Sequence, residues 1–368
     1  MMPMDRFSER DAKYLETTLR LARKGLGQTF PNPMVGAVVV RRGRIVGWGY
    51  HRKAGSAHAE IEALAAAGVR ARGATLYVNL EPCNHFGRTP PCADAIIAAK
   101  IHRVVCCTRD PHKAARGGIE KLKRAGIAVS VGGLEQKARE LNEAFFTFHE
   151  TLRPFVAVKF AASLDGKTAT RTGDSKWITN GRARAYARAL RGLYQAILVG
   201  INTVLHDDPH LGTREKGKKD PLRIVLDSRL RIPLTARILR DNNVMIVTTR
   251  HANSKKKRLL VGKGIEVVGM GSKIDVRALM RELYKREITS VLVEGGGEVL
   301  GSFVGARCVD KVYAFHAPLI IGGEAKSAIG GRGANKVREA LQLTRIERKT
   351  FGDNTLVIGY PKRGRNLV

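Results

Sequence analysis

The chain has 368 residues, 43% of them hydrophobic, which at about 100–200 residues per domain suggests two packed domains. No apolar run approaches the ~20 residues needed to span a bilayer, and the opening MMPMDRFSERDAKY has neither a signal core nor the acid-poor character of a transit peptide, so a soluble cytoplasmic enzyme is expected. The formal charge of +32 pulls towards polyanions, but the basic residues fall in short clusters (41–44, 216–219, 255–258, 362–365) and aromatics are 6%, so nucleic acid stands as the rival partner rather than the favoured one. Such a surface also favours anionic phosphate substrates.

In chain order, MVGAVVV and RIVGWGYH flank an Arg42-Gly43 turn and predict a β-hairpin. AHAEIEALAAAG predicts a helix stopped by Gly68, ATLYVNL a strand, CADAIIAAK a helix and RVVCCT a buried strand. IEKLKRAG, AVSVG and LEQKARELNEAFFTFHE predict a helix, a strand and one long amphipathic helix. The pattern restarts at FVAVKFAAS, giving domains over 1–150 and 151–368. In the second, AILVG, RIVLDS, NVMIVTT, IEVVG and SVLVE read as strands, and NGRARAYARALRG and DVRALMRELYKR as helices. Strands alternating with helices imply α/β sheets in both halves.

Five cysteines without a signal peptide argue against a disulfide framework. Cys106, Cys107 and Cys308 read as small buried hydrophobes. Cys83 and Cys92 differ, because one follows a strand, the other opens a helix, and His58 opens the helix before them. A catalytic zinc wants three protein ligands and one open position, and His58, Cys83 and Cys92 supply such a set. Glu60 is free to carry a proton from the attacking water to a leaving amine. A His-x-Glu followed by paired cysteines is the arrangement of zinc base deaminases. The usual two residues between the cysteines are eight here, NHFGRTPP, which places His85, Arg88 and Thr89 at the rim, where they could hold a phosphate or a ring edge.

EPCNHFGRTPPC, with PNPMVGAVVV and GYHRKAGSAHAE upstream, resembles the deaminase domain of the bifunctional riboflavin-biosynthesis deaminase/reductase family. The resemblance implies a cytidine-deaminase-like three-layer α/β/α fold, zinc on His58, Cys83 and Cys92, proton transfer by Glu60, and substrate contacts from Asn32, His51, His85 and Arg88. A rival from another class is an RNA base deaminase on a basic surface. It predicts a short Pro-Cys-x-x-Cys and stacking aromatics, against which the long insert counts.

In the second half, SVLVEGGGEVLGSF runs a buried strand into Gly295, Gly296 and Gly297 at a helix start, a setting that receives phosphate, although the spacing is not Gly-x-Gly-x-x-Gly. KFAASLDGKTATRTGDSKWITN holds a turn and a lone Trp, and in INTVLHDDPHLGTR the pair Asp207-Asp208 is either a helix-ending turn or a ribose contact. These stretches, in this order, resemble the reductase domain of the same family, with a dihydrofolate-reductase-like α/β fold. The resemblance spans about residues 7–360. It implies NADPH contacts from Ala161, Trp177, Thr203, Asp207, Ser228, Gly296, Gly297, Glu298, Val299, Leu300, Gly301 and Ser302. Substrate contacts would come from Ser175, Arg191, Leu211, Arg214 and Glu294, the two arginines suiting a sugar phosphate. The family's usual Asp-Asp-Pro-x-Leu-Thr-x-Arg is altered, because Gly212 stands at the Thr position. The implied chemistry is hydrolytic removal of the 2-amino group of 2,5-diamino-6-(ribosylamino)-4(3H)-pyrimidinone 5′-phosphate, then NADPH reduction of the sugar at C1′. A homo-oligomer, dimer or tetramer, is also implied.

Overall fold

The computed structural model describes residues 7–86, 90–214 and 219–362, so Arg88 and Thr89 lie outside the described residues. The chain divides into two compact units, the first ending at Leu152 and the second starting at Arg153.

The first unit runs α1 (Glu9–Ala22), β1 (Gly36–Arg41), β2 (Arg44–Tyr50), α2 (Ala59–Ala67), β3 (Thr75–Val78), α3 (Cys92–Ala98), β4 (Arg103–Cys106), α4 (Gly118–Arg124), β5 (Ala128–Val131), α5 (Glu135–Leu141) and α6 (Glu143–Thr151). Its sheet has the order β2-β1-β3-β4-β5, with β1 antiparallel to both neighbours and β3, β4 and β5 parallel. Arg42 and Gly43 both take positive φ, which closes the β1–β2 hairpin in two residues. Side chains alternate across the sheet. Ala37, Val39, Leu76, Val78, Val104 and Cys106 pack with Ala59, Ala63, Ile96, Ile119 and Leu122 of the helices on one face. Val38, Val40, Tyr77 and Val105 pack with Tyr14, Leu15 and Leu19 of α1 on the other. Three layers result.

Glycine at 47 and 49 lets α2 lie close on β2. A Cβ at Gly47 would stand 2.3 Å from the Ala63 carbonyl oxygen, and one at Gly49 2.7 Å from that of Ala59. The Ala-rich helix and the glycines of the strand are thus one packing device, and it brings the start of α2 to the sheet. Two expectations change in this unit. The helix α1 was not anticipated, although Ser8 and Asp11 cap it reciprocally. The long helix over 134–150 is two helices, broken at Asn142 (φ −108°, ψ 32°), whose side chain bonds the N–H and C=O of Met34 at 2.8 and 2.9 Å.

The second unit runs β6 (Phe155–Ser163), β7 (Lys167–Ala169), α7 (Gly181–Leu190), β8 (Ala196–Gly200), α8 (Ile201–Asp207), β9 (Leu222–Leu226), β10 (Val244–Thr249), α9 (Ser254–Gly262), β11 (Glu266–Met270), α10 (Val276–Lys285), β12 (Ser290–Val293), α11 (Gly297–Gly305), β13 (Lys311–Ala317), β14 (Lys326–Ser327), β15 (Leu343–Phe351) and β16 (Asn354–Pro361). Its sheet has the order β11-β10-β9-β8-β12-β6-β13-β16-β15. The strands from β11 to β13 in that order are parallel, and β16 and β15 are antiparallel additions. Apolar clusters cover both faces, one built on α10 and α11, the other on Leu230, Ile232, Ile238 and Leu260. The sequence did not lead to α8, β13 or the terminal hairpin. In β15, LTRIERKTF, burial is too slight to leave a readable period.

No described helix is long and apolar enough to cross a membrane. Cys106, Cys107 and Cys308 are buried, as expected, and burial pushes the Cys107 thiol up to about 12.

Candidate functional site

In the first unit the site is made where three elements begin or end. His58 is the N-cap of α2 in extended conformation, and its ring makes no capping bond, so it is free to turn to the cysteines. Cys83 follows β3, and Cys92 opens α3 behind Pro91. His58 Nδ1 lies 3.2 Å from Cys92 Sγ and 3.6 Å from Cys83 Sγ, and all three ligand atoms fall within 4.8 Å of one another. Zinc bonds of about 2.0–2.3 Å to nitrogen and sulfur fit inside that triangle, and one imidazole with two thiolates is a donor set zinc favours. The insert does not disturb the geometry, because the Cys92 N–H donates to Cys83 Sγ at 3.4 Å and the Ala93 N–H to the Cys83 carbonyl at 3.2 Å.

Electrostatics prepare the same corner. The Cys83 thiol is drawn down to about 4, first by hydrogen bonding from Cys92 and then by His58 against the opposing effect of burial. Cys92 is pushed up because it shares that hydrogen bond. Glu60, 4% exposed, is raised to about 7, by burial first and by the charge of Cys83 second. A carboxyl poised near neutrality both accepts and returns a proton.

The remaining rim residues divide. His51 is buried with both ring nitrogens engaged, Nδ1 at 3.1 Å from the Ala57 carbonyl and Nε2 at 3.2 Å from Asn32 Nδ2. His85 keeps a buried Nδ1 without a partner among the described residues, and its ring stands edge-on to His112, which in turn stacks on His149 at 4.4 Å. Burial, then His112, lowers His149 to about 4.

In the second unit, a cleft of about 1030 Å³ opens at the C-terminal ends of the parallel strands β8, β9 and β12, where open α/β sheets bind ligands. It gathers Ser175, Thr203, Asp207, Ser228, Gly296, Gly297, Glu298, Val299 and Ser302 from the expected set. Leu300 instead packs in the core, Ala161 sits half-buried on β6, and Trp177 is exposed under the Arg184 guanidinium, 4.3 Å from its ring centre. The glycines do unequal things. A Cβ at Gly297 would meet the Ser327 carbonyl at 2.7 Å and one at Gly301 that of Gly330 at 2.1 Å, so these two are small to let the 327–330 backbone pass. Around Gly296 nothing lies within 4 Å of a Cβ, and its N–H points at Thr203 Oγ1, 3.4 Å away. That hollow at the start of α11 fits a phosphate-bearing dinucleotide.

Glu294 and Arg191 meet each other rather than open space. Arg191 Nε and Nη2 each lie 3.0 Å from the Glu294 carboxylate, and Lys159 stands 3.6 Å from it. Burial alone would raise Glu294, but Lys159 and Arg191 outweigh it and hold the carboxyl down to about 2. The guanidinium fork is therefore occupied, which alters the simple expectation of Arg191 as an open phosphate clamp. Leu211 is buried and Arg214 exposed, both at positive φ. The altered residue between them has a reason. A Cβ at Gly212 would stand 2.4 Å from Asp220 Oδ2 and 2.7 Å from the His210 ring, while Thr213 donates to Asp220 Oδ1 through both its N–H (2.8 Å) and its hydroxyl (3.0 Å). Asp208 ends α8 at φ 38°, the helix-ending turn of the two readings, and Asp207 lines the cleft. Sequence reasoning missed Lys159, Asn202, His206 and Lys326. Of these only Lys159 left a signal, as a lone charge inside the apolar strand FVAVKFAAS.

Residues 8–108 match the family model described as the cytidine and deoxycytidylate deaminase zinc-binding region, and residues 154–357 match that of the RibD C-terminal domain. The riboflavin biosynthesis protein RibD of Aquifex aeolicus is 47% identical over 352 residues, covering 95% of this chain and 98% of that one. That of Bacillus amyloliquefaciens is 45% identical, covering 96% and 97%. Among solved structures, Acinetobacter baumannii RibD (form 1) superposes with a TM-score of 0.89 at 34% identity, covering 96% and 99%. The Thermotoga maritima diaminohydroxyphosphoribosylaminopyrimidine deaminase/5-amino-6-(5-phosphoribosylamino)uracil reductase gives 0.84 at 36%, with the same coverage. With a cytidine-deaminase-like unit at its head and a reductase unit at its tail, the chain belongs to the RibD family of riboflavin biosynthesis, bifunctional enzymes that join a zinc deaminase to an NADPH-dependent reductase.

Proposed function

We propose that the first unit deaminates 2,5-diamino-6-(ribosylamino)-4(3H)-pyrimidinone 5′-phosphate and that the second reduces the resulting 5-amino-6-(5-phosphoribosylamino)uracil to its ribitylamino form. The observation that carries the first step is the meeting of His58, Cys83 and Cys92 beside a buried Glu60 held near neutrality. Those three residues would hold zinc, which when bound supplies Lewis-acid activation of water. Glu60 accepts the proton of the attacking water and hands it to the departing amino group, which leaves as ammonia. Burial of the corner excludes bulk water from that transfer.

For the second step, NADPH when bound supplies the hydride. The hollow at Gly296 receives its phosphates, with Thr203, Asp207 and Ser228 along the cleft wall. Glu294, fixed by Arg191 and Lys159 at the end of β12, and the exposed Arg214 hold the phosphoribosyl substrate. A strongly basic surface suits two phosphorylated ligands without invoking a polynucleotide. The reading also includes a cytoplasmic homo-oligomer, which size-exclusion chromatography of the full chain would check. Purified protein should contain about one zinc per chain, release ammonia from the diaminopyrimidinone phosphate, and consume NADPH only with the deaminated product. Ammonia release that persists after the metal is stripped would refute the first half, and NADPH left unconsumed the second.

A further inference from the structure

The pairing of His51 with Asn32 carries information about what the deaminase corner selects. His51 sits just past β2, with its N–H on the Val35 carbonyl at 2.8 Å and its own carbonyl so close under Gly25 that a Cβ there would stand 2.6 Å away. Its ring is anchored as firmly as its backbone. Ala57 O, the carbonyl one residue before the metal ligand His58, can only accept, so His51 Nδ1 carries a hydrogen. The atom 3.2 Å from the buried Nε2 is Asn32 Nδ2, an amide NH2 that donates and has no lone pair to offer, so Nε2 accepts there. An asparagine amide that could turn either way is thus held one way round. Its oxygen, which has no protein partner among the described residues, is left as the acceptor of the pair.

We propose that His51 is a positioning residue: it fixes the Asn32 amide so that Oδ1 faces the substrate and selects a pyrimidine that presents an N–H there. This rests on the deaminase reading above and on the substrate contact that the family resemblance implies for Asn32. It also gives His51 a different part from the direct contact expected of it, because neither ring nitrogen is spare. A pyrimidinone with a ring N–H or an exocyclic amine meets such an acceptor. A ring offering a carbonyl or bare nitrogen at that edge leaves the Asn32 oxygen unpaired or repelled, which is how a hydrogen-bonding site rejects near-isosteres.

The test uses the zinc-loaded full chain with the diaminopyrimidinone phosphate, following ammonia release, bound zinc, and NADPH-dependent reduction of the deaminated product as a check on folding. H51L keeps the bulk and removes both nitrogens. It is expected to raise KM by about tenfold or more while zinc content and reduction hold. H51Q, whose amide can donate to Ala57 and accept from Asn32, is expected to return to within about threefold of the parent. N32A should lose at least as much as H51L, and N32A/H51L should be within about twofold of N32A alone, because His51 acts through Asn32. A parental KM for H51L, no rescue by H51Q, or additive losses in the double variant would overturn the proposal while leaving the deaminase assignment intact. Parental behaviour of N32A would remove Asn32 from the substrate and the proposal with it. A parent chain that releases no ammonia would instead sink the functional reading itself.

Discussion

The two functional regions are built from different material. In the proposed metal corner the work falls to three ligand side chains and one carboxyl, each at or just past the end of a helix or strand, and the α2–β2 packing fixes the helix that carries His58 and Glu60. In the reductase cleft much of the wall is glycine and other small residues at the ends of β8, β9 and β12, and Glu294, at the end of β12, is already paired. A side-chain site depends on the identity of its residues, whereas a backbone site depends on what is kept out of it.

That contrast can be broken at either end. Cys83→Ser should cost the first unit its zinc and abolish deamination while reduction continues, read by elemental analysis and both half-assays; joint loss would mean the regions are not independent. Glu60→Gln should retain zinc yet lower the deamination kcat by about 10²–10⁴-fold, as expected for a lost proton carrier. Arg191→Ala strands a buried carboxylate with only Lys159, and urea unfolding should show a loss of about 3–5 kcal/mol. In the parent, Glu294 is depressed from 4.5 to about 2, so its contribution is complete above 4.5 and fades as pH falls through about 2. The variant, which keeps Lys159 but not Arg191, should show a weaker acid-side dependence. Two glycines sharpen the comparison further. Gly301→Ala, driving a Cβ to 2.1 Å from the Gly330 carbonyl oxygen, should destabilise by about 1–3 kcal/mol. Gly296→Leu, which projects into the open hollow, should leave stability alone and weaken NADPH binding about tenfold, or about 1.4 kcal/mol by titration. Equal effects on stability would erase the distinction between a packing glycine and a cradle glycine.

The same difference explains what could be read from the letters. The cluster of His58, Cys83 and Cys92, with Glu60 close by in the chain, was legible because only a few residue types can bind a metal or move a proton. The β1–β2 hairpin and α2 were equally plain, from a two-residue turn and an alanine run. Ser8 and Asp11 offered a capping signature for α1 that went unread, while the break at Asn142 is invisible locally, because its cause lies at Met34. In the cleft, three successive glycines look alike in sequence. Which of them faces the hollow is decided by Val199 and Gly200 against Gly295 and by Ser327 and Gly330 against Gly297, all remote in sequence, and the pairing of Arg191 with Glu294 likewise spans 103 residues. Spacing cannot report such partners.

The bonds from Asn142 to both backbone groups of Met34 reach across 108 residues and close on the segment that carries Asn32. A ribosome releasing this chain has therefore delivered both cysteines well before the loop around Met34 can be tied down. The deaminase half can finish assembling only after its last helix has emerged, and a truncation short of Asn142 would leave a complete set of metal ligands on an unlatched frame.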